Sequence, residues 1–358
     1  MGRLAALFLL ALALAARAEA PTPRETTPAP PAEPPDNPWS LDLTVHDFGI
    51  GIGNSKHVDG LRLNFRDVAP FTVHGVNVTI WTPIEYEKGR GTGDVTGLAL
   101  GLPATGAGTL RGVGLGFGVA VEKTLDGVGV GVLGIGSGGA LHGIFLGGLG
   151  LGTGGDIDGI GIGGLGVGCG GNVRGVLVGG LGAGCGGDLT GLAVGGLGIG
   201  VGGNVRGVVI GGLGAGAGGN VEGIAVGLLG VGAGGSIRGI AVGGLGLGAG
   251  DSIDGLAVAG LGIGAPRVRG VVAALMAGGQ DVTGLAIAPA YFYIQEQGRF
   301  TGVSVSAFNR ILGEQHGLVI GIINYTPSLH GVQLGLVNWA GNNPSGLKLL
   351  PIANAHLD

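Results

Sequence analysis

The chain has 358 residues, of which 89 are Gly, with 11% charged and 4% aromatic residues and a formal charge of −5. This mildly acidic, charge-poor composition argues against a nucleic-acid binder, which needs a basic surface to meet phosphates. Helical folds are disfavoured too, because Gly costs about 1 kcal/mol against Ala inside a helix and much of the chain carries Gly at nearly every second position.

Residues 1–20 read as a secretory signal, with a basic start at Met1-Gly2-Arg3, an apolar run from Leu4 to Ala16 and an A-x-A cleavage site at Ala18-Glu19-Ala20. The apolar run is too short for a membrane-spanning helix. Residues 21–38, PTPRETTPAPPAEPPDNP, form a Pro-rich stretch expected to be an extended spacer.

From Trp39 onward an anchor of the form apolar-x-Gly-apolar-x-apolar recurs, from Gly60 to Gly331. Its spacing is about 14–16 residues, with insertions near Pro83–Gly93 and Gln295–Phe300. Such a period marks one small supersecondary unit stacked many times. Residues 39–358 are therefore expected to form one body of about 18 coils, a rod about 80–90 Å long at roughly 4.8 Å per coil.

The repeat is most regular over 156–251, where six units begin DIDGIGIGGLGVGCGG and NVRGVLVGGLGAGCGG. In the unit Asn204–Gly219, Val208 and Ile210 share one parity and Leu213, Ala215 and Ala217 another, with Gly211-Gly212 between them. Alternation of period two means strand, so each unit holds two short strands joined at Gly corners. The expected fold is all-β, an elongated parallel β-solenoid of two-stranded coils with a Gly-rich centre. An antiparallel meander is the alternative, because Gly-Asn and Gly-Asp also make hairpin turns. A transmembrane barrel fits less well, since its strands need about 9–11 residues.

In the solenoid, Val208 and Ile210 are expected to face Leu213, Ala215 and Ala217 across a thin interior. Gly214, Gly216 and Gly218 then form a bare outer surface. Gly in strands marks close approach of another backbone or surface, so this Gly face is a candidate contact surface for a second copy, a sheet elsewhere in the chain or an envelope layer. Glycine suited only to tight corners is the competing explanation.

Cys169 and Cys185 occupy the same place in consecutive units. Stacked coils would bring their Cα atoms to about 4.8 Å, within disulfide range, whereas in a meander they would stand about 10 Å apart. A disulfide is permitted after export; the alternative is a pair of small buried hydrophobes. Aromatic residues gather at the two flanks, at Trp39, Phe48 and Phe65 and again at Tyr291, Phe292 and Tyr293, and read as end caps over an otherwise open core.

At the C-terminal flank, HGLVIGIINY from His316 and HGVQLGLVNW from His330, followed by Leu350-Pro351-Ile352, resemble bacterial surface-repeat proteins built from L-x-G-x-Q-I-G-L-x-N units, the spirochaete-type surface repeat family. The resemblance covers about Gly302 to Ile352. It implies an exported, surface- or envelope-associated protein with no assigned catalytic activity. Asn309, Asn324 and Asn338 each stand seven residues after an anchor Gly and are candidates for an amide ladder at a corner. The central units place Gly there, as Gly214 after Gly207.

No catalytic constellation emerges. Gly-rich nucleotide motifs need an adjacent helix, calcium repeats need a nine-residue period, and the seven His show no metal-ligand spacing. Several of them precede the anchor Gly, where Arg, Asp, Thr or Glu stand elsewhere, and are expected at a solvated corner. The expectation is a non-enzymatic protein without cofactor, exported to the outer membrane surface, periplasm or extracellular space. It would be a structural or interaction surface of the bacterial envelope. The competing functions are an outer-membrane-associated antiparallel structure and a carbohydrate-binding or carbohydrate-cleaving β-helix.

Overall fold

The computed structural model describes residues 39–67, 71–81 and 93–357. The secretory signal, the Pro-rich spacer and nearly all of the first insertion lie outside the described residues.

Every described strand joins one parallel stack except at the two ends. The long strand Val205–Gly211 pairs in parallel with Val221–Gly227, residue on equivalent residue, Gly207 beside Gly223. The short strand Gly214–Ala217 pairs in the same way with Gly230–Ala233. Antiparallel pairing among the described residues is confined to Ser40–Val45 against Phe48–Gly53 and to Leu349–His356 against Ser328–Ala340. The chain is thus a parallel β-solenoid, and the meander is excluded. The end strands, more than the aromatics, close the stack: Trp39 and Phe48 are exposed, while Phe71, Phe292 and Phe300 are buried.

The anchor glycine explains the repeat. All anchors from Gly60 to Gly331 have φ between +116° and +148°, a region that L side chains avoid. A Cβ on Gly207 would overlap the carbonyl oxygen of Gly191 one coil earlier, and the same relation holds between Gly223 and Gly207. Backbone therefore packs directly on backbone along this column, and the coil spacing follows from it.

The interior differs from the expectation in one respect. Val205 and Val209 of the long strand face Ala215 and Ala217 of the short strand, all four buried. Val208 is half-buried on the outside, and Ile210 and Leu213 are 40% and 43% exposed. Ala215 and Ala217 are inside as expected, whereas the long strand presents the opposite side and Leu213 lies outside. Gly207 and Gly211 share the parity of Val209, and a Cβ on Gly211 would overlap the carbonyl of Gly214 where the chain doubles back. The glycines that permit this crowding fix the odd positions inward, so Val208 and Ile210 point out, and Leu213 rides the outside of the corner.

The second insertion is a bulge. Ile294 pairs with Gly279 and Arg299 with Asp281, so the residues between Ile294 and Arg299 loop out of the corner. Gln297 takes φ +62° there. At the N-terminal end the interior turns polar: the Arg62 guanidinium is fully buried against Asp67 and donates to Asn77 at 2.9 Å. Burial lowers the pKa of Arg62, and Asp67 opposes that shift.

Candidate contact surfaces

Each regular coil presents a short-strand face and a long-strand face, and the two have opposite chemistry. On the short-strand face the outward residues are glycines. At Gly168, Gly200, Gly216 and Gly232 an added Cβ would meet nothing within 4 Å, so no neighbour in the chain demands glycine there. Gly218, expected with them, is instead a corner residue whose Cβ would overlap the carbonyl of Gly202. No other described part of the chain pairs onto this face.

Traced toward the C-terminus, the Gly216 column runs through Gly278 into Tyr293, Arg310, Tyr325 and Trp339. Tyr325 and Trp339 stack with centroids 4.4 Å apart and planes 4° apart. One face of each ring is thus covered by the other ring. Where the Gly floor meets Tyr291 and Tyr293 lies a shallow hollow of about 660 Å³, lined by Gly, Ala, Met276 and Gln295 among others.

The long-strand face carries three outward columns per coil. Two are aliphatic: Ile224, Ile240 and Leu256 belong to one, and Ile162, Ile210 and Val242 to the other, each 37–41% exposed. Side chains stacked at the coil spacing cover one another's flanks, so this exposure is that of their tips. Beside them runs the corner column of Leu149, Leu165, Leu181, Leu197, Leu213, Leu229, Leu245 and Leu261, 43–52% exposed. Together they form an uninterrupted apolar strip, far larger than the scattered apolar residues of an ordinary monomer surface. The strip is made of the positions expected inside, Val208 and Ile210 on the long strand and Leu213 at the corner.

The third outward column is charged. It is the position before the anchor Gly, expected at a corner but located on the long strand. Glu222 sits between Arg206 at 3.5 Å and Arg238 at 3.2 Å. Asp158 meets Arg174 at 3.4 Å, and His142 lies between Asp126 and Asp158 at 2.6 and 3.7 Å. Acidic and basic residues alternate along the stack, interrupted by Thr190 between Arg174 and Arg206. Exposed pairs of this kind contribute only about 0–1 kcal/mol each.

Two polar ladders hold the coils. The expected one is present but lies in the interior: Asn309 donates from Nδ2 to Oδ1 of Asn324 at 2.8 Å, and Asn324 to Oδ1 of Asn338 at 2.7 Å, all three fully buried. Its column continues through Phe292 and Ala277 to Ala215, not Gly214. The C-terminal corners are one residue shorter, so counting from the anchor gave the wrong partner.

The second ladder was missed. At the start of the central units from Asp156 to Asn220 a side-chain oxygen accepts the backbone N–H of the next unit's equivalent residue. Asp188 N–H donates to Asn172 Oδ1 at 2.9 Å, Asn204 N–H to Asp188 Oδ1 at 2.7 Å and Asn220 N–H to Asn204 Oδ1 at 2.9 Å. The signal was visible as a column holding Asp, Asn or Ser, the residues with a short acceptor. The N–H of Asn204, with its side-chain amide and Arg206, holds the Asp188 carboxyl below its ordinary pKa against the opposing effect of desolvation.

Cys169 and Cys185 pair in register on adjacent short strands, and both are buried free thiols. Their Sγ atoms lie 3.4 and 3.5 Å from the carbonyls of Gly171 and Gly187. Hydrogen bonding with Cys185, followed by burial, pushes the Cys169 thiol up. Among the described residues no group of three His, Cys, Asp or Glu side chains is placed to hold a metal ion.

Comparison of the chain with protein-family models, with curated proteins and with solved structures finds no match.

Proposed function

We propose that this protein is an exported, non-catalytic structural or interaction component of the bacterial envelope, working through the broad faces of its solenoid. The observation that carries this reading is the apolar strip of the long-strand face, a surface of the kind that marks contact with a protein or membrane. A rigid stack of coils displays such a strip at constant spacing, which suits a scaffold. The features of residues 1–20 support export, and the C-terminal units with Asn309, Asn324 and Asn338 support kinship with bacterial surface-repeat proteins.

Expression of the full chain in a bacterial host, followed by fractionation and N-terminal sequencing, tests the proposal. The expected product begins at Pro21 and is recovered from the envelope or medium. An uncleaved product retained in the cytosol would overturn it.

A further inference from the structure

We propose that the long-strand face seats a second copy of this chain, in a closed two-fold dimer whose dyad runs parallel to the strands. The inference rests on the reading of the faces as contact surfaces and names the occupant of one of them.

Area is the first argument. From the coil of Ile144 to that of Val305 the aliphatic columns run on without a break in register. At the coil spacing and strand rise this is a strip about 50 Å by about 15 Å, on the order of 750 Å². A stable interface of standard size buries about 800 Å² per partner. Two such sheet faces laid together meet in the same way as the inner faces of a β-sandwich.

Charge selects the dyad. A two-fold axis along the stack would lay the column of Arg206 and Glu222 on the partner's Leu213 column, burying charge against hydrocarbon without a partner. An axis along the strands lays each column on its own copy, so aliphatic meets aliphatic and charge meets charge. Because signs alternate, the axis must then pass between coils. Placed between the coils of Thr190 and Arg206, it sets Arg174 opposite Glu222 of the second copy, Asp158 opposite Arg238, His142 opposite Asp254 and Asp126 opposite Arg269. With the axis one coil further, the opposite-sign pairs are Arg206 with Glu222, Arg174 with Asp254 and Asp158 with Arg269, and His142 then faces Thr283 instead of a carboxylate. An axis through the Arg206 coil would instead set Arg174 on Arg238 and Asp158 on Asp254.

The experiment is sedimentation equilibrium of the full chain, purified without detergent, at concentrations from about 0.1 to 100 μM, with thermal melts confirming that each variant folds. The wild type is expected to be a dimer. Val194→Lys with Ile210→Lys raises the dimer Kd at least about 100-fold, whereas Gly200→Lys, on the opposite face, leaves it unchanged. Arg174→Glu alone raises Kd about tenfold, and adding Glu222→Arg restores it. Residues 174 and 222 stand three coils apart, about 14 Å along one chain, so a rescue reports contact across the dyad and not repair of the chain's own ion pairs.

A wild type that stays monomeric at 100 μM, equal disruption by Gly200→Lys, absence of the charge rescue, or flotation of a monomer on phosphatidylcholine vesicles would each overturn the dimer. If the monomeric protein is nonetheless exported and loses envelope retention in the Val194→Lys, Ile210→Lys variant, the face serves another partner and only the dimer falls. Cytosolic, monomeric protein would sink both.

Discussion

Between Asp156 and Asp251 the interior column of the short strand holds Ala, Val, Ile and Leu, whereas in the C-terminal coils the same column holds Asn309, Asn324 and Asn338. The coils stack in parallel in both regions, with corners one residue shorter at the C-terminus, and the anchor glycine has a positive φ throughout. What differs is how strongly register is enforced. An aliphatic interior stacks about equally well on any neighbouring coil, because burial is non-directional. A buried amide must find its partner, and one left unpaired costs about 1–3 kcal/mol, so the C-terminal coils admit one register. The centre obtains register from its edges: the anchor glycines crowd inside the stack, and the ladder of Asn172, Asp188, Asn204 and Asn220 runs along the corner.

The largest effect is expected where both regions agree. Gly207→Ala places a Cβ against the carbonyl of Gly191 at φ +134° and should lower stability by about 3–5 kcal/mol. Gly317→Ala, at φ +116° against Gly302, should do the same. A difference between the two sites in urea midpoint would mean that the anchor is not the common determinant.

Exchange of the interiors comes next. Asn324→Leu removes the donor to the buried Asn338 Oδ1 and one of the acceptors around Asn309 Nδ2 and should cost about 1–3 kcal/mol. Ala215→Asn strands an amide among apolar neighbours and should cost about 1–3 kcal/mol. If either substitution is neutral in denaturant titration, the interiors are less distinct than their hydrogen bonding indicates.

Asn204→Ala removes one acceptor from the corner ladder, at an expected cost of about 1 kcal/mol, seen most directly as faster amide exchange at Asn220. Gly216→Ala should be neutral or stabilising by about 0.5 kcal/mol, since the added methyl meets open space and the unfolded chain loses freedom. A clear loss of stability there would contradict the open geometry of the short-strand face.

The smallest effect is acid sensitivity of the centre. Asp188 and Asp251 have folded pKa values below their ordinary ones, Asp188 chiefly through the N–H of Asn204 and Asp251 chiefly through Arg267. A depressed carboxylate contributes stability that is fully present above its unfolded pKa and is lost as pH falls through the folded pKa. The melting temperature should therefore drop below the ordinary carboxylate range. Asp188→Asn, which keeps the acceptor as Asn172 and Asn204 do, should make that drop shallower with little change at pH 7. An unchanged acid limb would remove Asp188 from the account.

Much of the architecture was already legible in the residues. Every anchor glycine named from its spacing adopts the same positive φ, the strands alternate as read, and Cys169 and Cys185 fall on adjacent strands. Periodicity reports which positions are equivalent, and equivalence in a parallel stack becomes contact. It cannot report which side of an alternating strand is inside, because Val208 and Val209 are equally apolar. Only the chain doubling back at Gly211–Gly214 decided that, and it turned Val208, Ile210 and Leu213 outward to make the apolar face. Nor could counting from the anchor show that the amide column continues Ala215, since that depends on corner lengths which only the assembled coils reveal. The sequence by itself determined the repeat, its strands and the residues that stack; the tertiary structure decided inside from outside, because sidedness belongs to backbone crowding between coils and not to any one unit.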